Sequence, residues 1–137
     1  TEYVDSSFND AFGFYLSDST GTKENVAFIP GTSQHVTINN LNHGDHSDLF
    51  TNNDKWTSST LSSYTSVKSA FDGLTKSMNT RLYEVTSGET YTAKLAIADA
   101  GDTSFDSMVY LKASSFNFAQ CGNGILESGE ECEGGEC

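Results

Sequence analysis

Three aspartates, Asp99, Asp102 and Asp106, lie within one short glycine-containing stretch. Carboxylates at such close spacing repel one another unless a cation or hydrogen-bond donors neutralise them. A site made only of oxygen ligands is the kind that binds Ca²⁺. The sequence therefore predicts a calcium site at this stretch, the acidic turn (residues 99–106), with Asn9 or Asp10 as additional ligands from a neighbouring strand. The alternative interpretation is a solvated turn in an acidic protein.

The segments on either side of the acidic turn predict the strands that would hold it. Apolar and polar residues alternate over residues 91–97, and the alternation returns over residues 109–113. A period of two is typical of half-buried strands. We expect the two segments to pair as an antiparallel hairpin, with the carboxylates at the end of a rigid sheet.

A second set of candidate ligands lies in the long polar loop predicted over residues 42–55. His43 and His46 stand three residues apart in His-Gly-Asp-His, a spacing that can serve a transition metal. Because a glycine separates them and no helix aligns the rings, a solvated loop is the alternative. Trp56 is expected to anchor the end of this loop.

Catalysis has weaker support in the sequence. Asp72, Asp99 and Asp106 supply carboxylates of the kind that hydrolyse glycosides. Carboxylates are common throughout this chain, however, and no serine-nucleophile motif accompanies its histidines and aspartates. The sequence therefore predicts a protein that is not an enzyme.

The charge balance restricts the partners. The chain has 137 residues, with seven basic against nineteen acidic side chains and a formal net charge of −12. Such a charge argues against nucleic acid and anionic membrane surfaces as partners. No apolar run approaches the length of a membrane span. Cation binding and an extracellular location both fit this composition.

The composition also favours strands over helices. Nine Phe and six Tyr supply many of the large apolar groups, Thr and Ser are abundant, and twelve Gly accompany a single Pro. The best helix candidate, residues 59–71, is rich in Ser and Thr. Further strands are expected over residues 8–16, 25–31 and 36–41 and within 71–85. The predicted fold is an all-β antiparallel sandwich of jelly-roll type, with Phe12, Phe14 and Leu16 on one face of its first strand.

A change of composition after Phe118 divides the predicted sandwich (residues 1–118) from a cysteine-rich tail (residues 119–137). Cys121, Cys132 and Cys137 lie among Gly and Glu, without CxxC spacing and without histidine. Disulfides in an oxidising compartment explain this pattern better than zinc. We expect a Cys121–Cys132 bridge, with Cys137 either free or joined to a second molecule.

Several blocks of the chain resemble one known family in co-linear order. The blocks include Phe-Asn-Asp-Ala-Phe-Gly-Phe-Tyr-Leu-Ser from residue 8 and Tyr-Thr-Ala-Lys-Leu-Ala-Ile-Ala-Asp-Ala-Gly-Asp from residue 91; the others are residues 25–32, 36–42, 71–75 and 105–116. Together they resemble the choice-of-anchor L domain of bacterial secreted proteins. The tail is similar to the Cys-Gly-Asn-Gly…Glu-Glu-Cys repeats of secreted cysteine-rich bacterial proteins. The resemblance implies a β-rich module at the cell surface or outside the cell, and it implies no reaction.

The resemblance also raises an expectation about completeness. Family members normally carry a further β-rich half before the block at Phe8, and the repeats normally continue beyond Cys137, so both ends are expected to be cut. The first strands would then expose an edge and an aromatic face that includes Phe12, Phe14 and Phe28. We expect another polypeptide, either the missing half or a neighbouring copy, to complete the sheet. The alternative is a smaller closed sandwich that remains a monomer.

Two functions follow from these features. The first is an extracellular structural or adhesive β-module, which would form a filament if copies add head to tail without closing. The second is a Ca²⁺-dependent domain that binds a surface carbohydrate or a peptide through the acidic turn, Trp56 and loop tyrosines. A sugar-array screen with and without EDTA would distinguish the two.

Overall fold

The computed structural model describes residues 3–53, 71–104 and 106–116. Regular structure in these ranges is entirely β, with six strands and no helix. The strands are β1 (Ala11–Ser17), β2 (Lys23–Asn25), β3 (Val36–Thr37), β4 (Phe50–Asn52), β5 (Gly73–Thr75) and β6 (Thr92–Ala98). The predicted all-β, antiparallel class is confirmed. In the described ranges no helix has the length and apolar character needed to cross a membrane.

β1 is the centre of a four-stranded antiparallel sheet. β6 pairs with β1 along its whole length, from Ala11 opposite Ala98 to Ser17 opposite Thr92. On the other side, β2 pairs with the last three residues of β1, and β3 pairs with the first two. β4 and β5 form a separate two-stranded antiparallel sheet.

The hydrophobic core lies against one face of β1, as its alternating sequence predicts. Phe14 is buried together with Val26 and Ala27, while Phe12 and Leu16 pack against this cluster. These three β1 side chains share a face because successive strand residues point to opposite sides of the sheet. Tyr83 also packs against the cluster, although it lies outside the strands.

The strand expected over residues 25–31 is shortened to its first residue, because β2 lies earlier in the chain, at Lys23–Asn25, and shares only Asn25 with the prediction. The side chain of Asn25 explains why β2 ends there. β2 stops at Asn25, whose side-chain Oδ1 accepts hydrogen bonds from the backbone N–H groups of Phe14, at 3.1 Å, and Ala27, at 3.0 Å. A side-chain oxygen thus takes the place of a backbone acceptor, and the chain turns inward at Val26 and Ala27. Asparagine commonly competes with secondary structure in this way.

Two other expected strands are also shortened. The one predicted over residues 36–41 ends at Thr37, because the Thr37 carbonyl accepts the N–H groups of Asn40 and Leu41 in a turn. In the region 71–85, only β5 is a strand. Most of the candidate helix, residues 59–70, lies outside the described residues.

The prediction that residues 91–97 form a hairpin with residues 109–113 is wrong about the partner strand. β6 forms where expected, but it pairs with β1, and residues 109–113 form no strand. The register aligns Leu95 with Phe14 and Ile97 with Phe12, so one apolar face continues across both strands. This long-range pairing places the apolar faces of the two strands side by side.

The predicted polar loop 42–55 contains a strand. β4 pairs with β5 so that Thr51 lies opposite Leu74. Buried Asn53 extends the contact, since its backbone N–H donates to the Asp72 carbonyl at 2.7 Å and its side chain donates to the Phe71 carbonyl at 2.8 Å. The loop is therefore tied to the second sheet at its far end.

Candidate functional site

The register of β1 with β6 positions the acidic turn. Ala11 begins β1 opposite Ala98, the last residue of β6. Asp10 and Asp99, the next residue outward on each strand, therefore lie at the same end of the sheet. The sequence predicted that Asn9 or Asp10 would join Asp99, Asp102 and Asp106 from a neighbouring strand, and the pairing of β1 with β6 brings Asp10 to this turn.

Asp10 links the acidic turn to the first strand. Its Oδ1 accepts a hydrogen bond from the Ala100 N–H at 3.0 Å, and its Oδ2 accepts one from the Ser107 hydroxyl at 2.6 Å. The Asp10 carbonyl also accepts the Ile38 N–H at 3.1 Å. Asp10 thus holds the start of the turn and its far side against β1.

Asp99 bears the electrostatic strain of this arrangement. Its pKa is raised above its ordinary value, first by desolvation and then by the charges of Asp10 and Asp102. A hydrogen bond to Asp10, which requires a proton between the two carboxyl groups, raises the pKa further, and so does the charge of Asp106. A carboxylate surrounded by others is the situation that a bound cation relieves.

The side chains as they stand do not form a metal centre. In the three described ranges, no group of three or more His, Cys, Asp or Glu side chains is arranged to hold a metal ion. Asp102 Oδ1 accepts the Ser104 N–H at 2.7 Å, and Asn9 Oδ1 accepts the Asn39 N–H at 2.9 Å. Calcium binding here stays a prediction, and it requires these side chains to turn toward a shared ion.

The His43 and His46 loop is built around a residue that the sequence did not single out. Asn42 is 1 % exposed; its side chain donates to the carbonyls of Ile38 and Asn39 and accepts the N–H groups of two later loop residues. His46 Nδ1 lies 2.8 Å from the Asn40 carbonyl. An asparagine two residues before Gly44 was the available signal, because an asparagine side chain stabilises a turn by hydrogen-bonding the backbone two residues on.

The β6 strip, defined as Leu95, Ile97, Met108 and Leu111, is the other candidate surface. These side chains are 41 %, 50 %, 56 % and 55 % exposed, respectively. They line an open groove of about 360 Å³ together with Phe12 and Val109. The segment that carries Met108 and Leu111 is held at one end by the Ser107 hydroxyl, which donates to Asp10. At its other end the ring of Phe116 meets that of Phe14 edge to face, with centroids 5.7 Å apart.

The prediction that an exposed aromatic face includes Phe12, Phe14 and Phe28 is wrong about where the exposed apolar side chains lie. Phe14 is buried, and Phe12 and Phe28 are only partly exposed. Val26, Ala27 and Tyr83 supply the cover on the β1 side of the face. Most of the exposed large apolar side chains of the described residues lie instead on β6 and on the segment after the acidic turn.

Several predicted residues lie outside the described ranges. Trp56 falls in the gap between residues 53 and 71, and Cys121, Cys132 and Cys137 follow residue 116. The predicted disulfide and the predicted roles of Trp56, as an anchor of the loop and as a ligand contact, therefore stay predictions.

Comparison with known proteins identifies the class. A β-rich domain agrees with the family expected from the sequence, and the sequence model of that family matches residues 1–117. The chain belongs to the choice-of-anchor L domain family. Domains of this type are typical of secreted or surface-anchored bacterial proteins. Neither the curated proteins nor the solved structures compared with this chain gave a match.

Proposed function

We propose that this domain is an extracellular structural or adhesive β-module that assembles with another polypeptide, or with a second copy of itself, through the β6 strip. The observation that carries the proposal is the exposure of four large apolar side chains on one face. Contiguous apolar patches of this kind are uncommon on soluble monomers and mark interaction surfaces.

The edge of β6 supports the same function. Among the described residues, β6 pairs with β1 only, so its second edge has no ladder partner there. An open edge accepts an added strand through backbone hydrogen bonds, while pockets for alternate side chains select the partner. The β6 strip provides those pockets beside the edge.

In this assembly, the burial of apolar side chains has to supply most of the favourable free energy of association. Burial contributes about 0.8 kcal/mol for each CH₂ group removed from water, so covering Leu95, Ile97, Met108 and Leu111 gives several kcal/mol in total. The net charge of −12 opposes the association of identical copies. Assembly of copies should therefore strengthen as the salt concentration rises, because salt screens this repulsion.

Membership of the family supports an extracellular location. The cysteine-rich tail suggests in addition how assembled copies would be joined. If copies add head to tail without closing a ring, a filament forms. The odd cysteine expected at Cys137 would then join neighbouring subunits covalently in an oxidising environment. No catalytic step is part of this function.

Light scattering on the native protein tests the proposal. We expect a mass above the 14.8 kDa of one chain, or a companion polypeptide that co-purifies. Ile97→Glu should shift the population to monomer, because a charge in the strip must be desolvated on assembly. Leu82→Glu is the matched control, since Leu82 is 66 % exposed and lies outside the strip. A wild-type monomer without a companion chain would overturn the proposal.

A second candidate function is Ca²⁺-dependent binding of a carbohydrate or a peptide at the acidic turn. The raised pKa of Asp99 among three other carboxylates favours it, because this repulsion is what a cation would remove. A sugar-array screen with and without EDTA tests it. Binding that persists in EDTA would exclude a calcium-dependent mechanism.

A further inference from the structure

A second open cleft lies on a part of the surface that shares no residue with the acidic turn or the β6 strip. It has a volume of about 580 Å³ and lies between residues 28–33 and residues 79–81. Its lining combines an aromatic ring, an arginine, an amide and hydroxyls: Phe28, Arg81, Asn79, Thr32, Ser33 and Thr80. Ligand sites in proteins commonly have volumes of about 300–1,000 Å³.

The floor of this cleft is fixed by backbone hydrogen bonds. Ile29 is fully buried, and its N–H donates to the Gln34 carbonyl at 3.0 Å. The Ile29 carbonyl accepts both the N–H and the hydroxyl of Thr32, at 3.0 and 2.8 Å. On the opposite wall, the Arg81 N–H donates to the Val26 carbonyl at 2.9 Å. Walls held in this way lose little conformational freedom when a ligand binds.

Arg81 is the feature that gives the cleft its chemistry. It is the only arginine in a chain of net charge −12. Its guanidinium carbon lies 4.0 Å from the centroid of the Phe28 ring, and its Nη2 donates to the Thr32 carbonyl at 3.0 Å. Arg81 thus stacks on a ring and bonds a neutral carbonyl, and no described carboxylate forms an ion pair with it.

The position of Arg81 leaves donors for a ligand. A guanidinium has five N–H donors in a planar fork that matches the two oxygens of a carboxylate. Only one bond from this fork to another described residue is made, the bond to Thr32. Contact with Phe28 also orients the fork, so that less side-chain freedom is lost on binding.

We propose that this cleft binds an acidic saccharide, with Arg81 holding the carboxylate of a uronic acid. The side-chain amide of Asn79 and the hydroxyls of Ser33 and Thr80 would bond the sugar hydroxyls, which both donate and accept as these groups do. An acidic peptide matches this lining less well, because a neutral amide and hydroxyls surround the single positive charge. The site is independent of calcium and of the assembly through the β6 strip.

Titration with D-galacturonate, followed by calorimetry and by amide NMR shifts, tests this inference. We expect saturable binding with a dissociation constant in the millimolar range and shifts at Asn79, Thr80 and Arg81. Galactose, which lacks the carboxylate, should bind at least about tenfold more weakly, since a bond to a charged group is lost. EDTA should leave the galacturonate affinity unchanged.

Matched variants separate the site from general charge effects. Arg81→Gln should weaken galacturonate binding at least about tenfold, and Lys112→Gln, which removes an exposed cation outside the cleft, should not. Because Arg81→Gln also removes the contact with Phe28, Asn79→Ala serves as a second variant at an exposed position. It should weaken galacturonate binding by a smaller factor and leave the melting temperature unchanged.

Four outcomes would overturn the inference. One is the absence of saturable binding, and another is equal affinity for galactose and galacturonate. A third is competition by acetate at the same affinity as galacturonate, which would reduce the site to a simple anion site. Loss of binding in EDTA would assign the saccharide to the acidic turn instead.

Discussion

Asp18 directly follows β1 and Asp10 directly precedes it, so the two ends of one strand can be compared. At the Asp18 turn (residues 18–22), Oδ1 accepts the N–H and hydroxyl of Thr20, at 2.9 and 2.7 Å, and the N–H of Thr22, at 3.0 Å. The hydrogen bond from the Thr20 side chain is the largest of the effects that lower the pKa of Asp18. At the other end, Asp99 faces Asp10, Asp102 and Asp106, and its pKa is raised.

The difference is one of neighbours, since both aspartates lie in exposed turns beside strands. Donors surround Asp18, so its negative charge stabilises the turn from β1 to β2. Carboxylates surround Asp99, so its negative charge destabilises the fold. The first arrangement is complete in itself, whereas the second would be relieved by a cation. Whether the charge of an aspartate stabilises an acidic turn therefore depends on how many hydrogen-bond donors surround it, and the number of carboxylates alone does not decide it.

The largest expected difference concerns the glycine in each turn. Gly21 and Gly101 both have positive φ, at 86° and 103°. A Cβ on Gly21 would meet nothing within 4 Å, whereas one on Gly101 would lie 2.6 Å from Phe8 Cδ1 and 3.1 Å from the Ser7 carbonyl oxygen. Gly21→Ala should therefore cost about 1–2 kcal/mol through its backbone conformation, and Gly101→Ala about 2–4 kcal/mol because overpacking is added.

Urea denaturation of the two glycine variants measures this difference. Phe8 is a ring that packs edge to face on Tyr3, with centroids 5.3 Å apart, so it cannot move without disturbing that contact. Equal losses of stability for Gly21→Ala and Gly101→Ala would show that the acidic turn is not packed against the N-terminal segment.

The next largest effect is that of calcium, which should act at one end of β1 only. If the acidic turn binds Ca²⁺, the free energy of unfolding rises by about 2.7 kcal/mol at a hundredfold excess over the dissociation constant. Thermal melting in millimolar CaCl₂ and in EDTA measures the rise. Asp102→Ala should abolish it, and Asp18→Asn, the matched control, should retain it. A melting temperature that is the same in calcium and in EDTA would exclude the site.

The smallest effects come from neutralising each aspartate without calcium. At neutral pH, Asp18→Asn should lower the melting temperature because the bonds from Thr20 and Thr22 lose their charge assistance. Asp99→Asn should raise it because repulsion is removed. Both changes should amount to a few degrees at most, since Asp99 is exposed and Asp18 is only partly buried. Changes of the same sign would contradict the comparison.

The pH dependence of these two variants has opposite directions. The stabilising contribution of Asp18 is complete above its ordinary pKa of 3.8 and is lost as the pH falls through its lowered pKa in the folded protein. The destabilisation by Asp99 is present above its raised pKa in the folded protein, and it disappears as the pH falls from there toward 3.8. Melting curves of the variants and the wild type across this range measure both trends.

Part of this molecule follows from local sequence patterns. Alternation of apolar residues located β1 and β6 and placed Phe12, Phe14 and Leu16 on one face, because a strand imposes a period of two on any sequence. The abundance of strand-forming residues established the all-β class. The spacing of Asp99, Asp102 and Asp106 marked the acidic turn. Each of these depends on residues close together in the chain.

Where strands end was harder to predict, since single side chains decide it. Asn25 ends β2 by accepting backbone N–H groups, and Thr37 ends β3 by starting a turn. Apolar residues continue past both positions in the sequence. A side-chain oxygen can end a strand by accepting N–H groups that would otherwise bond the next strand of the sheet. Which N–H groups it can reach depends on the position of the neighbouring strand, and that position is not a local property of the sequence.

Only the tertiary structure decided which elements meet. β6 pairs with β1, some 80 residues earlier, and not with the alternating segment that follows it. This pairing brings Asp10 to Asp99, and packing elsewhere in the fold places Arg81 on Phe28. The sequence by itself determined local conformation, because each residue restricts its own backbone and that of its neighbours. Contacts between distant segments depend on how much apolar surface the segments bury together. That quantity belongs to the pair of segments and cannot be obtained from either one alone.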